Sequence, residues 1–317
     1  MGTGALRHHG FQELPALLHG GDLLIVNNTR VFPAKLEGRV ESGGTVEMLL
    51  VETTREKEWE VLARPAKKLR VGTLVRFGNG ELEARVTRVG ELGKRTVDLI
   101  YQGDLEPILD RLGRPPLPPY IKRESSRGEG GRDREDRERY QTVYARERGS
   151  VAAPTAGLHF TRQVLDELKK QEIDVAEITL HVGYGTFQPI RVETVESHHM
   201  QAERYTIPAE VVASIERVRA RGGRVVAVGT TTVRALESAA FEPGRARAGA
   251  GVTELFIYPG FQFRIVDALL TNFHLPQSSL LMLVCALAGV EPVLRAYREA
   301  VRERYRFFSY GDCMLVY

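Results

Sequence analysis

Five short runs of glycine, threonine, asparagine and histidine punctuate this 317-residue chain, each after an apolar segment. They are Asn27-Asn28-Thr29-Arg30, Pro154–His159 (PTAGLH), His181–Thr186 (HVGYGT), Gly229–Thr232 followed by Arg234, and Thr271–His274 (TNFH). Each reads as the end of a β-strand. In open α/β sheets, ligands bind in the crevice beyond the carboxyl ends of the strands. Loops of a purely structural sheet also use Gly and Thr, but have less need for three histidines (His159, His181 and His274) at three such positions. In the fourth run, the backbone N–H groups of Gly229, Thr230 and Thr231 can cradle a carboxylate or a phosphate. The spacing is not that of a nucleotide-binding P-loop, and Gly183-Tyr184-Gly185 is too short for a dinucleotide fingerprint.

Each candidate also has a plain structural reading. In Glu177–Val182, Ile178, Leu180 and Val182 share one face, so His181 lies on the other with Glu177 and Thr179. It could be a surface histidine; Gly183 and Gly185, which permit close backbone approach, favour a ligand-facing role. His159 precedes a helix start and could equally cap or pack. The Thr271–His274 run comes before the apolar stretch Leu280–Ala288, which is too short for a bilayer span of roughly 18 residues or more. That stretch reads as a buried core helix, started by Pro276 and capped by Ser278 and Ser279. Its positive end facing Asn272 and His274 could hold a polar or anionic ligand. His198-His199 with Glu203 could bind a metal, but no second ligand pair supports it, and a non-metal role is favoured.

The elements that must position these runs follow from hydrophobic patterning. Asp22–Asn27 is nearly continuous apolar, as for a strand buried on both faces. From about Phe32 to Tyr101 the pattern alternates with period two: Leu36, Gly38 and Val40, a Gly43-Gly44 turn, then Val46, Met48 and Leu50. Trp59, Val61 and Ala63 follow; then Val75 and Phe77, a Gly78-Asn79-Gly80 turn, Leu82, Ala84 and Val86, and later Val97, Leu99 and Tyr101. Such closely spaced short strands predict a small antiparallel barrel over 33–119. Pro115–Pro119 ends it with stiff, extended chain. Lys122–Arg148 carries nine basic and seven acidic side chains; it predicts a solvated, mobile loop. From Ser150 strands and helices alternate: strands at Val151–Ala153, Asp174–Val182, Arg224–Val228, within Phe263–Phe273 and at Cys313–Tyr317, and helices at Thr161–Gln171, Pro208–Arg221, Thr231–Ala240 and Pro292–Tyr305. The expected class is a layered α/β domain, 1–32 and 120–317, with an inserted small antiparallel β-barrel domain.

Bulk composition sets loose bounds. There are 44 basic and 41 acidic side chains, a net charge of +3, which neither announces nor excludes a nucleic-acid partner. Cys285 and Cys313, without metal-ligand spacing, fit a reducing cytosol. No signal peptide or transmembrane segment is apparent, so a cytoplasmic protein away from membranes is expected.

Taken together, the runs GDLLIVNNTRVFPA, RPAKKLRVG, PPLPPYI, RYQTVYA, AAPTAGLHFT, LHVGYGTFQPI, VGTTTVRALES, TELFIYPG, TNFHLPQSSLLML and YRFFSYGDCMLV closely resemble the S-adenosylmethionine:tRNA ribosyltransferase-isomerase family of queuosine biosynthesis. They stand in family order from about Gly10 to the end. The resemblance implies that S-adenosylmethionine is a consumed ribosyl donor and not a cofactor, with no cofactor or metal required. The acceptor is the aminomethyl group of 7-aminomethyl-7-deazaguanine at the wobble position of a tRNA with a GUN-type anticodon. The product is epoxyqueuosine, with adenine and methionine released, and a monomer is expected. A general base would form an ylide at the ribose 5′ carbon beside the sulfonium, a step suited to a neutral histidine. The resemblance makes His181, His159 and His274 the base or acid candidates. Asn28, Arg30, Thr155, Gly157, Gly183, Gly185, Gly229, Thr230, Thr231, Arg234 and Asn272 would bind substrate, and Arg64, Lys67, Lys68 and Arg70 on the barrel would hold tRNA phosphates.

Members of the family begin some tens of residues earlier, so a misassigned start or a short variant is expected. Where the family has Met-His-x-Glu and LPKS, this chain has Met200-Gln201-Ala202-Glu203 and Leu275-Pro276-Gln277-Ser278, which argues against essential catalysis at Gln201 and Gln277. Two rivals differ in outcome. A methyltransferase or other S-adenosylmethionine-dependent transferase would leave other products, and its usual glycine-rich first loop is not evident. A non-catalytic tRNA-binding protein would bind in a salt-sensitive way without turnover.

Overall fold

The computed structural model describes residues 4–118, 120–121, 130–187 and 194–317. The chain divides into two compact units: Met1–Arg30, Gln141–Glu147 and Ala153–Tyr317 form one, and Val31–Tyr140 with Arg148–Ala152 the other.

The first unit is built on a seven-stranded sheet. Its order is Gly249–Thr253, Glu203–Ile207, Asp174–Leu180, Leu23–Asn27, Val225–Val228, Ala268–Asn272 and Cys313–Val316. The inner four strands are parallel and the flanking pairings antiparallel. Leu23–Asn27 is buried at every residue, as its apolar run Leu23 to Val26 requires, with Asn27 the one polar member. Leu24, Val26, Val226, Val228 and Leu270 share a core cluster with Phe160, Val164 and Leu168 from the Arg162–Lys170 helix and the turn before it. Alternate residues face the other way; the helices Ala209–Ala220 and Thr230–Ala239 also contact the Leu23–Asn27 strand. Asp174–Leu180 lies on one side of Leu23–Asn27 and Val225–Val228 on the other, so the strand order reverses at Leu23–Asn27. A crevice opens beyond the carboxyl ends at such a point.

Two expectations are corrected here. Leu280–Ala288 forms the helix Ser279–Ala288, capped by Ser278 accepting from Leu281 N at 3.2 Å, but only Leu283, Val284 and Cys285 are buried. A helix presents one stripe to a sheet, so an all-apolar sequence does not make an all-buried helix. The strand expected at Val151–Ala153 lies instead at Glu147–Ser150, outside the seven-stranded sheet.

The second unit is a closed six-stranded antiparallel barrel, ordered Lys35–Val40, Thr45–Thr53, Glu58–Arg64, Lys94–Tyr101, Leu82–Val89 and Leu74–Phe77. The alternating apolar residues fill it: Leu36, Met48, Leu50, Val61, Val75, Phe77, Leu82, Val86, Val97 and Leu99 are all 1% exposed or less. Gly38 closes the ring opposite Phe77, and a Cβ there would fall 2.7 Å from the Phe77 ring. Of the segment expected to be a loop over 122–148, residues 122–129 lie outside the described residues. Gly130–Arg139 is a helix. Arginine and glutamate are good helix formers, and Glu135–Arg139 pair at 3.1 Å one turn apart. Arg137 donates to the Asp110 and Gly113 carbonyls, and Tyr140 is fully buried behind it.

Candidate active site

The carboxyl edge of the parallel strands gathers the predicted runs in the first unit. Asn27 braces it: its side chain donates to Leu180 O at 2.9 Å and Thr231 Oγ1 at 3.3 Å, and accepts from Leu180 N and Thr29 N. Asn28, expected to orient substrate, is buried and spent within the protein, donating to Glu177 at 3.0 Å and accepting from Thr179 at 2.7 Å. Arg30 is exposed at the same edge.

His181 follows the Asp174–Leu180 strand and is half-buried. Its Nδ1 lies 2.9 Å from Thr29 Oγ1, and that hydroxyl also donates to Glu147 O at 3.3 Å. Its Nε2 has no hydrogen-bond partner among the described residues. Burial holds the imidazole pKa below its usual value; Arg204 adds to this and Glu147 opposes it. The ring is therefore neutral at neutral pH.

Thr155–His159 forms a tight 3₁₀ turn beside the start of the Thr230–Ala239 helix. Gly157 is needed there, because a Cβ would overlap the Tyr144 hydroxyl. His159 stacks on Phe11, with ring centroids 5.2 Å apart. Asn272 Nδ2 donates to Phe308 O at 3.2 Å and meets His159 Nε2 at 3.3 Å. A carbonyl only accepts, so the Phe308 contact fixes Nδ2 as the amide nitrogen and makes His159 Nε2 the acceptor. His159 then carries its proton on Nδ1. Burial lowers its pKa, with Asp312 opposing. The Asn272 Oδ1 atom is buried without a partner among the described residues.

Gly229, at φ +85°, turns the chain into the Thr230–Ala239 helix, as only glycine does easily. Thr230, Thr231 and Thr232 are buried at its first turn, where backbone N–H groups have no intrahelical acceptor. Gly183 N donates to Glu203 Oε1 at 2.8 Å, and Gly185 packs against Gln201.

Arg234 and His274 take other places than expected. The Arg234 guanidinium is 4% exposed, ion-paired with Glu203 and bonded through Nε to Leu255 O at 2.9 Å. It fixes Glu203, and through it Gly183. The Arg234→Leu substitution strands a buried carboxylate and should cost about 3–5 kcal/mol of stability in a urea titration. The double substitution with Glu203→Gln should recover much of that loss. His274 is buried, with Nε2 2.8 Å from Thr271 Oγ1 and its backbone N donating to the Tyr297 hydroxyl at 2.7 Å. Burial pulls its pKa down to about 4. The folded state refuses a proton that the unfolded chain takes near 6.5, so its contribution is full above that pH and lost as pH falls toward 4. Urea midpoints across this window should show a fall of up to roughly 3 kcal/mol that the His274→Gln variant lacks.

Three residues at this edge were not read as site residues: Thr29, Tyr144 and Asp312. Asp312 accepts from Arg306 N and Nη2, both at 2.7 Å, and faces His159 electrostatically. Its signal lay in the YRFFSYGD run. For Thr29 the partner is 152 positions away, and no local pattern shows it. His198 packs edge-on to Phe256 at 4.8 Å, and no group of three or more acidic, histidine or cysteine side chains among the described residues could hold a metal.

In the barrel unit, Arg64, Lys67, Lys68 and Arg70 are exposed on one turn. None has a carboxylate partner among the described residues, whereas Lys35, Arg76 and Lys94 on the same barrel are paired with Glu47, Glu83 and Glu60. Arg95, buried beneath, pins that turn by donating to Leu69 O at 2.8 Å and Ala66 O at 2.6 Å.

Residues 1–316 match the family described as queuosine biosynthesis protein. The chain is 52% identical over 315 residues to the S-adenosylmethionine:tRNA ribosyltransferase-isomerase of Symbiobacterium thermophilum, covering 99% of this chain and 90% of that protein. It is 49% identical over 313 residues to the protein of the same name from Natranaerobius thermophilus, covering 98% and 89%. The crystal structure of S-adenosylmethionine tRNA ribosyltransferase from Thermotoga maritima is similar at 38% identity and a TM-score of 0.52, covering 99% of this chain and 89% of that one. The chain belongs to the queuosine biosynthesis protein family. Among the described residues no single helix is long and apolar enough to cross a membrane.

Proposed function

We propose that this member of the queuosine biosynthesis family is an S-adenosylmethionine:tRNA ribosyltransferase-isomerase. It moves the ribosyl unit of S-adenosylmethionine onto 7-aminomethyl-7-deazaguanine at the wobble position of a GUN-type tRNA. The unit is rearranged to give epoxyqueuosine, and adenine and methionine leave. The observation that carries this reading is His181: a neutral, half-buried imidazole at the carboxyl edge whose Nε2 is engaged by none of the described residues.

His181 is the general base of this reading. It takes a ribose 5′ proton made acidic by the adjacent sulfonium. His159 has its Nε2 lone pair occupied by Asn272 and serves as an N–H donor, suited to the departing adenine. His274 is framework. The first-turn N–H groups of Thr230 and Thr231 hold the methionine carboxylate. Thr155, Gly157, Gly183 and Gly185 shape the crevice walls, with Arg30 at its rim. The exposed cations Arg64, Lys67, Lys68 and Arg70 hold tRNA phosphates. S-adenosylmethionine is consumed, and no resident cofactor is needed. The enzyme acts as a monomer in the cytoplasm, a compartment that suits its free Cys285 and Cys313.

Product analysis tests the reading. With S-adenosylmethionine and tRNA carrying 7-aminomethyl-7-deazaguanine, adenine and methionine should form in step with a nucleoside heavier by the ribosyl-derived unit. S-adenosylhomocysteine in their place would show a methyltransferase. Binding of tRNA without turnover would show a binding protein.

A further inference from the structure

We infer that Thr29 is a positioning residue for His181: it holds the ring in the tautomer that carries its proton on Nδ1, so the Nε2 lone pair is the one offered to substrate. This goes beyond the proposed function while resting on its choice of His181 as base.

The argument is one of proton accounting. A threonine hydroxyl has one proton to give and lone pairs to accept with, and a backbone carbonyl can only accept. The Glu147 carbonyl lies 3.3 Å from Thr29 Oγ1 and can only accept, so the arrangement that satisfies this contact and the one to His181 together sends the hydroxyl proton to Glu147 O. The 2.9 Å contact with His181 Nδ1 then places the ring proton on Nδ1, donating to Oγ1. In a neutral imidazole, the other nitrogen carries the lone pair. Thr29 is well fixed for this task. It is fully buried, and its N–H donates to Asn27 Oδ1 at 3.1 Å, the same side chain that grips both backbone groups of Leu180. The base and the residue that orients it are thus tied to one asparagine.

During the reaction, the C5′–H bond breaks and its electron pair stays on carbon beside the positive sulfur. The proton passes to Nε2. The imidazolium so formed keeps its Nδ1–H bond to Thr29, so no rearrangement is needed. The mirror tautomer would present an N–H to the same carbon and could accept nothing. A hydroxyl accepting from the ring orients a base in the way an acidic partner orients it elsewhere, without lending a full negative charge.

The test uses full-length protein with ¹⁵N-histidine. Long-range ¹H–¹⁵N correlation spectra at neutral pH report which ring nitrogen is protonated, with His181→Gln assigning the signal. In the wild type, His181 should carry its proton on Nδ1. The Thr29→Ser variant should keep this tautomer and retain kcat to within about 2-fold, since the hydroxyl remains. The Thr29→Val variant should shift the ring toward the Nε2–H form. It should lower kcat about 10-fold, the size of one neutral hydrogen bond, with KM for both substrates unchanged.

A wild-type His181 protonated on Nε2 would overturn the inference, whether or not the valine variant folds. So would a Thr29→Val variant that keeps both tautomer and kcat. A wild type that holds the Nδ1–H tautomer but releases no adenine would sink the proposed function and leave the tautomer assignment standing.

Discussion

Replacing His181 by alanine should slow adenine release by about 10²- to 10⁴-fold, the contribution of a positioned general base. Binding of S-adenosylmethionine and of tRNA should be little affected. Three features single out this histidine. His274 is buried, with its pKa pulled to about 4 and Nε2 against Thr271. His159 has its Nε2 occupied by the Asn272 amide. Only His181, of the three, combines neutrality and partial exposure with an unengaged ring nitrogen that carries the lone pair; the nitrogen of His159 left unengaged by the described residues is Nδ1, which carries its proton. Single-turnover measurement with excess enzyme separates chemistry from binding. The His159→Ala variant should lose less, since a hydrogen-bond donor to a leaving group contributes less than the base. Equal, small losses for both variants would mean that neither ring moves the proton.

The second large effect should come from the barrel. Changing Arg64, Lys67, Lys68 and Arg70 together to alanine should weaken tRNA binding by about 100-fold or more at physiological salt. It should also flatten the dependence of log K on log salt by roughly 3, at about 0.7 per lost single-strand phosphate contact. Elsewhere on the barrel, exposed Arg39, Arg55, Lys57, Arg85 and Arg88 likewise lack a carboxylate partner among the described residues, but Lys35 is neutralised by Glu47 at 2.6 Å and Lys94 by Glu60 at 3.0 Å. The four on the Arg64–Arg70 turn are not. Removing them strands no buried carboxylate, so thermal stability should barely change. KM for S-adenosylmethionine should also hold. A control that neutralises Lys35 and Lys94 should affect tRNA binding far less, because those charges are already compensated. Equal losses in the control would mean that general charge, and not this turn, attracts the RNA.

Much of the framework was legible in the sequence because it depends on local periodicity. The period-two alternation from Leu36 to Leu99 names the side chains that fill the barrel, and the Gly43 and Gly78 turns fall where the strands reverse. The nearly continuous apolar run Leu23–Asn27 announces a central strand. The polar runs do fall at the carboxyl edge of the sheet, with the exception of the Pro154–His159 run, which follows a strand outside that sheet and reaches the edge through Asn272. The strand Glu203–Ile207 and the edge strand Gly249–Thr253 beside it were missed. GAGVT carries too little hydrophobic contrast to read as a strand, and its order comes from pairing with a neighbour. The Gly130–Arg139 helix was missed because balanced charge describes a solvated loop and a solvated helix equally well.

Roles within the site were less legible than its location. His159, His181 and His274 look alike in sequence, each at the end of a polar run. What separates them is a partner brought from elsewhere in the chain: Asn272 for His159, Thr29 for His181, and the packing that dries His274. Arg234 looked like a ligand-facing arginine on the first turns of a helix, yet it meets Glu203, 31 positions away. A side chain's chemistry is read locally, but its availability is set by contacts of long sequence separation.

The central claim is that His181 removes a proton from the ribose 5′ carbon of S-adenosylmethionine in the course of ribosyl transfer. The most direct test supplies S-adenosylmethionine deuterated at that carbon, with tRNA carrying 7-aminomethyl-7-deazaguanine. Isotope in the modified nucleoside and in solvent is then followed alongside adenine. The wild type should release adenine and lose one of the two 5′ deuterons in the product nucleoside, and the His181→Ala variant should do neither at a comparable rate. Adenine release with both deuterons retained, or deuteron loss undiminished in the variant, would contradict the account.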